Sequence, residues 1–471
     1  MSSEERANSA RREGTSRRDF LRMAGLGGAA LAGGGLLAAC ADETGATTTA
    51  GAVATSTTAA ATSTTGAAPA AGRAIKIGYV SPQTGPLAGF GEADSFVLGA
   101  LDSTLAEGVS VAGVQHPVEL IVRDTQSDPV VAGEVAGELI LDESVDLMLV
   151  ASTPETTNPV SDQCEINGVP CVSTVAPWQA WLIPRGGDPT GQTSFMWTYH
   201  YFWGLEGLIP QFIALWDQLE TNKIVGGLFP NDGDGNAWGD PEVGFPPPLE
   251  AAGYTLIDPG RYENLSDDFS AQIAAFNNAG CEIITGVPLP PDFTTFWTQA
   301  QQQGLTPNAA TIGKAILFPA SVDALDGDSG DGLSSEVWWS PSHPFVSSLT
   351  GQSSADLAEA YTSGTGAQWT QPIGFAHSLV EVALDVFART EDIDDRESVL
   401  AAVTSTQVDT IVGPVGWSGG GPTNPVPNVS TTPLVGGQWV LGGDFKYDLV
   451  IVDNSQSPDI PTTATVKAIG S

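Results

Sequence analysis

The stretch Ile75-Lys-Ile-Gly-Tyr-Val80, followed by Ser81-Pro-Gln-Thr-Gly-Pro-Leu-Ala-Gly-Phe-Gly91, decides how the chain is read. Its first six residues alternate in bulk as a β-strand does, and the next eleven hold two prolines and three glycines. After them Ala93, Phe96, Val97, Ala100, Leu101, Thr104 and Leu105 recur at helical spacing. Strand, Gly/Pro loop and helix in succession open an α/β sheet. Such sheets bind ligands in the loops beyond the carboxyl ends of their strands, so this loop is expected to form the first wall of a small-molecule pocket.

The same alternation continues outward. Pro117–Arg123, Val145–Val150 and Gly168–Ser173 read as strands, separated by a helix over about 129–143 and by another that follows the loop Ala151–Thr156 and runs to about Asn167. A second series follows Trp203: helix 205–219, strand 223–229, helix 269–279, strand 282–287 and helix 293–303. A long helix from Pro372 to Thr390 comes later, before a tail of strands and turns. Two βα series of similar size predict two α/β lobes, each a parallel sheet covered on both faces.

The charge excludes one class of function. The chain of 471 residues carries 17 Lys and Arg against 55 Asp and Glu. The first 39 residues hold six of those arginines and four of the acids, which leaves a net charge of −40 on the remainder. Such a surface repels nucleic acid and anionic lipid headgroups, and it suits a saline medium.

The N-terminus reads as an address. Ser16-Arg-Arg-Asp-Phe-Leu-Arg22 precedes a short Gly/Ala-rich apolar run that ends in Leu37-Ala-Ala-Cys40. The paired arginines resemble a Tat export signal. Small residues before a cysteine are what a lipoprotein signal peptidase accepts. Residues 1–39 are therefore expected to be a signal peptide and Cys40 the lipid-attachment residue. Residues 40–72, almost all Thr, Ala, Ser and Gly, lack the bulk for a core and read as a disordered tether.

Four stretches carry a family resemblance. Ile75–Gly91 is similar to I-K-I-G-x-x-x-P-x-T-G-P-x-A-x-x-G. Asn231-Asp-Gly-Asp-Gly-Asn-Ala-Trp-Gly239 is similar to N-D-x-x-Y-G, with Trp238 at the tyrosine position. Asp268-Phe-Ser-Ala-Gln-Ile273 is similar to D-F-S-A-Q-I, and Pro291-Asp-Phe293 to a P-D/E segment. Together, from Arg73 to Asp453, they resemble the branched-chain amino-acid type of periplasmic solute-binding protein, a lipoprotein form of which serves ABC importers. The resemblance implies the type I fold: two Rossmann-like lobes joined by three hinge crossings, with a small solute closed between them. It further implies partnership with a membrane permease and its ATPase, no cofactor, a monomer, and a place on the outer face of the cytoplasmic membrane. The crossings are expected near Tyr199–Trp203, Trp339–Pro341 and Val412–Gly416. Lobe 1 would then comprise 73–200 and 341–412, lobe 2 201–340 and 413–458, and 459–471 a tail.

Aligned on the resemblance, Thr84 and Phe90 of the first loop are candidate ligand contacts, although Phe90 could equally pack under its own loop. Ser152 and Thr153 stand at a helix entrance, where hydroxyls and backbone N–H groups either hold a carboxylate or cap the helix. Ser173 and Thr174 match the next loop, with Val175 departing from the hydroxyl residue common in relatives. Trp178, Trp238 and Trp339 are candidate stacking partners, and the density of aromatics near the crossings suits a ligand flatter than leucine. Asp292 aligns with a carboxylate that pairs with a ligand ammonium; it also reads as an ordinary helix N-cap. The ligand classes this leaves are an amino acid, an amide or an aromatic acid.

Cys164 and Cys171 are close enough in sequence to form a disulfide in an oxidising compartment, whereas Cys281 reads as a core thiol. No G-x-S-x-G, H-E-x-x-H or metal-type Cys/His spacing occurs. Asp232–Asn236 lacks the glycine and glutamate that an EF-hand requires, and reads as a turn. A binder is expected rather than an enzyme, with an exported hydrolase or a ligand sensor unlinked to transport as the alternatives.

Overall fold

Two sheets organise the chain in a computed structural model that describes residues 72–417 and 423–471. The first has the order Val429–Ser430, Thr198–Tyr201, Cys171–Thr174, Leu147–Ala151, Ile75–Ser81, Val118–Asp124, and every pairing is parallel. Ile75–Ser81 lies inside this sheet, and six of its seven residues are buried. A strand covered on both faces reads as a nearly continuous apolar run, which is what the sequence offers here. Gly78 is a point of close approach, where a Cβ would come within 2.9 Å of the Met148 sulfur.

The loop after it is tied down by Asp124, at the end of the neighbouring strand. That carboxylate accepts hydrogen bonds from Gln83 N (2.9 Å), Thr84 N (3.2 Å) and Thr84 Oγ1 (2.6 Å). Gly85 turns at φ +89, and any Cβ there would meet Gln126 O at 2.7 Å, so glycine is required. The helix expected from Ala93 breaks at Leu101 into Asp94–Ala100 and Asp102–Glu107.

The second sheet has the order Tyr447–Asp453, Val435–Leu441, Ser334–Val337, Ala309–Ile312, Ile283–Gly286, Ile224–Leu228, Thr255–Ile257. Val435–Leu441 runs antiparallel to both of its neighbours, and the remaining pairings are parallel. The described residues make one compact unit that contains both sheets. The helix Pro372–Arg389, buried along most of its length, packs on the first sheet.

The chain passes between the sheets after Tyr201, after Val337 and after Ser430. The third passage corrects the expectation of Val412–Gly416. Gly413–Gly416 folds back as a hairpin on Gln407–Thr410, which packs against the Pro372–Arg389 helix. Val429–Ser430 then joins the edge of the first sheet before the chain leaves it. Residues 413–417 and 423–430 therefore belong with the first sheet. The expected tail, 459–471, is part of lobe 2: Ile460 is buried, Thr463 N donates to Ile451 O, and Gln438 exchanges hydrogen bonds with Lys467 N and O.

Cys164 and Cys171 are buried free thiols, not the disulfide the spacing allowed. They face each other in the core beneath the first sheet, and burial, followed by the Cys171 contact, pushes the Cys164 thiol up. The signal peptide, Cys40 and the tether up to residue 71 lie outside the described residues. No helix among the described residues is long and apolar enough to cross a membrane.

Candidate functional site

The carboxyl ends of the parallel strands of both sheets converge on one cavity. From lobe 1 come Phe90, Thr153, Val175, Pro177 and Phe202, each in the segment following a strand of the first sheet. From lobe 2 come Asp234 and Trp238 after Ile224–Leu228, Val287 after Ile283–Gly286, and Lys314 and Leu317 after Ala309–Ile312. Glu336 and Trp338 stand at the end of Ser334–Val337, and Trp203 at the first crossing completes the lining. The walls nearly meet, leaving about 20 Å³ of free space. That holds about one water, so a larger solute must part the lobes to enter.

The backbone is strained where it turns into the cavity. Val175 has φ +75 and Lys314 φ +55. A β-branched residue at positive φ is an outlier, and such conformations cost about 1–3 kcal/mol and cluster at functional sites.

The charges are unevenly shared. Lys314 Nζ lies 2.7 Å from Asp234, 3.2 Å from Asp232 and 3.5 Å from Glu155, the last reaching across from lobe 1. Burial alone would lower the Lys314 pKa, but the three carboxylates outweigh it and hold the ammonium charged. One ammonium cannot satisfy all three. Burial, with repulsion from Glu155 and Asp232, pushes Asp234 up to about 7 in spite of Lys314, and its Oδ1 has no hydrogen-bond partner. Glu336 is likewise buried, bonded by Ser335 Oγ (3.0 Å) and backbone N–H groups; burial pushes it up to about 8. The hydroxyl of Thr153 and the indole N–H groups of Trp203, Trp238 and Trp338 are buried without partners. An unpaired buried polar group costs about 1–3 kcal/mol. Several around one cavity mark a place where another molecule completes the bonding.

Of the expected contacts, Phe90, Thr153 and Trp238 line this cavity. The others do not. Thr84 is exposed and bound to Asp124. Ser152 bonds Thr156 within its own helix entrance (2.5 Å). Ser173 bonds His200 Nδ1 (2.8 Å), and Thr174 donates to Tyr201 O (2.6 Å), both within the sheet. Trp178 donates to Glu206 (2.8 Å) of lobe 2, a hinge bond that Gln179 doubles (2.6 Å). Trp339 packs edge-on against Trp369, while its neighbour Trp338 takes the cavity position. Asp292 accepts from Leu265 N (3.1 Å) in the first turn of its helix, and burial pushes it up to about 6.

Sequence reasoning passed over Asp234, Lys314 and Glu336. A signal existed for Lys314: the chain holds five lysines, and this one follows an apolar strand directly, in Thr311-Ile-Gly-Lys314. Asp234 lies inside Asn231–Gly239, which reads as a loop because of its glycines. It folds instead as the short helix Gly233–Trp238, with Asp232 Oδ1 capping Gly235 N (2.8 Å).

A family model described as periplasmic binding protein matches residues 74–429. No curated protein sequence matches the chain. Solved structures do. A leucine-binding protein from Thermotoga maritima is 18% identical, with a TM-score of 0.63 over 81% of this chain and 99% of its own. A solute-binding protein of an ABC transporter from Rhodopseudomonas palustris, in complex with 4-hydroxybenzoate, is 20% identical at TM-score 0.63, covering 82% and 99%. A branched-chain amino-acid transporter binding protein from Streptococcus pneumoniae, in complex with isoleucine, is 15% identical at TM-score 0.59, covering 80% and 99%.

Proposed function

The chain belongs to the periplasmic binding protein family, and from that premise we propose that it is the lipid-anchored receptor of an ABC importer. Its family is one of extracytoplasmic solute-binding proteins rather than enzymes. The observation that carries the reading is the cavity, built from the strand ends of both lobes and rimmed by unpartnered polar groups. A solute that touches both walls favours the closed arrangement, whereas one that touched a single wall would shift nothing. The permease then reads closure.

Amino acids, amides and aromatic acids are the starting ligand classes, since structural relatives hold isoleucine and 4-hydroxybenzoate. Export through a twin-arginine signal and acylation at Cys40 would hold the receptor, as a monomer on its tether, beside that permease. The test has two arms. The purified protein should gain thermal stability with one small solute and return it unchanged; catalytic loss of that solute sinks the reading. Cys40→Ala should move the protein from the membrane fraction to the soluble one, and retention in the membrane removes the anchor.

A further inference from the structure

The composition of the cavity narrows the solute further. Within 3.5 Å of Lys314 stand three carboxylates, of which Asp234 lines the cavity, and Glu336 adds another to that lining. Lys314 is the one cation among the described residues of that lining, and its charge is already taken. Glu155, Asp232 and Asp234 outnumber that one ammonium, so the site is short of positive charge even while Glu336 keeps its proton, which an arriving cation drives off to solvent. An anionic solute would deepen the deficit in a space that excludes water, where unpaired charge is most costly. Phe90, Phe202, Trp203, Trp238 and Trp338 add aromatic rings to the walls. Aromatic rings attract a cation through their quadrupole, most strongly when desolvated. Asp234 Oδ1, buried and unpartnered, offers an acceptor; the orphan indole N–H groups of Trp203, Trp238 and Trp338 offer donors.

We infer that the solute closed between the lobes is an organic cation, an amine or a quaternary ammonium. Its charged nitrogen sits against Glu336 and Asp234, its body lies among the aromatic side chains, and an oxygen function, where it carries one as choline does, takes the indole N–H groups. This rests on the solute-binding reading above, and it departs from the acids and zwitterions that the relatives suggest. Lys314 holds the carboxylates of the second lobe together while the site waits; the solute brings the further positive charge.

The test is a thermal-shift series on the purified full chain with choline, phenethylamine, phenylalanine and phenylacetate at equal concentration. The last three share a ring and differ in charge. The inference expects choline or phenethylamine to stabilise most, phenylalanine less, and phenylacetate not at all. It expects Glu336→Gln to weaken the stabilising cation about tenfold or more, while Glu250→Gln, on an exposed helix position, changes nothing. A larger shift with phenylalanine or phenylacetate overturns the inference and leaves the solute-binding reading standing. No shift with either cation, or equal weakening by both substitutions, also overturns it. Conversion of a bound probe to product fails the solute-binding reading itself.

Discussion

The two walls of the cleft are built alike and furnished differently. Each is a row of loops at the carboxyl ends of parallel strands, and each contributes aromatic bulk. The first-lobe wall offers Phe90, Thr153, Val175, Pro177 and Phe202, with no charge among them. The second-lobe wall holds Asp234, Lys314 and Glu336 together with Trp238 and Trp338. One wall therefore sets shape while the other reads charge. The hinge shows the same residue types in another use. There the Trp178 and Gln179 side chains are paired with Glu206, and Trp338 N with Gln371 (2.8 Å). Aromatic density alone does not distinguish a hinge from a pocket.

The largest expected effect comes from the second wall. Trp238 is fully buried against Phe212 and Phe245, and Trp238→Ala should cost about 3–5 kcal/mol of stability and abolish solute binding. Denaturant unfolding with and without solute measures both, and binding retained at full strength would break the division of labour.

Next is the pH response of Glu336. Its carboxyl is held protonated up to about pH 8 by burial, well above its ordinary 4.5, with Lys314, Asp234 and Ser335 around it. A proton bound by the folded chain and not by the unfolded one stabilises fully below the ordinary value, and this contribution is lost as pH rises through about 8. The ligand-free protein should lose stability on the order of a few kcal/mol between about pH 5 and 9. Glu336→Gln should flatten that slope, and an unchanged slope would place the titration elsewhere.

On the first wall, Phe90→Leu keeps most of the packing against Phe318. It should cost less than about 1.5 kcal/mol and, with one aromatic face gone, weaken cations more than neutral solutes of similar size. Equal weakening of every solute would leave the first wall with shape alone. The smallest effect is expected from Glu155→Gln, which removes the partly exposed ion pair across the cleft at 3.5 Å; double-mutant cycles with Lys314 should return under about 1 kcal/mol.

The alternation of strands and helices was legible because each parallel strand is a short apolar run between turn signals. Ile75–Ser81, Leu147–Ala151 and Ile283–Gly286 declare themselves so. The third crossing was not legible. Val429–Ser430 is two residues long, too short for any periodicity, and Gly413–Gly416 reads as a strand without saying which lobe it joins. At the site, Phe90 and Trp238 could be read from their loops, whereas the hydroxyls of Thr84, Ser152, Ser173 and Thr174 are taken by neighbours in the protein: Asp124, Thr156, His200 and the Tyr201 carbonyl. Whether a hydroxyl faces a ligand or a neighbouring carbonyl depends on the sheet register, which the sequence does not print. Glu336 was hidden for a related reason: it ends the polar run Ser334-Ser-Glu336, which reads as exposed, and here the strand is buried throughout.

The central claim is that one solute is held between two walls and released unchanged. Equilibrium dialysis of the full chain against radiolabelled choline or phenethylamine, followed by denaturation and recovery of the label, tests it most directly. The account predicts one molecule per chain, recovered intact, weakened by Phe90→Leu from one side and lost with Trp238→Ala from the other. Label recovered as a different compound, or binding indifferent to both walls, would contradict it.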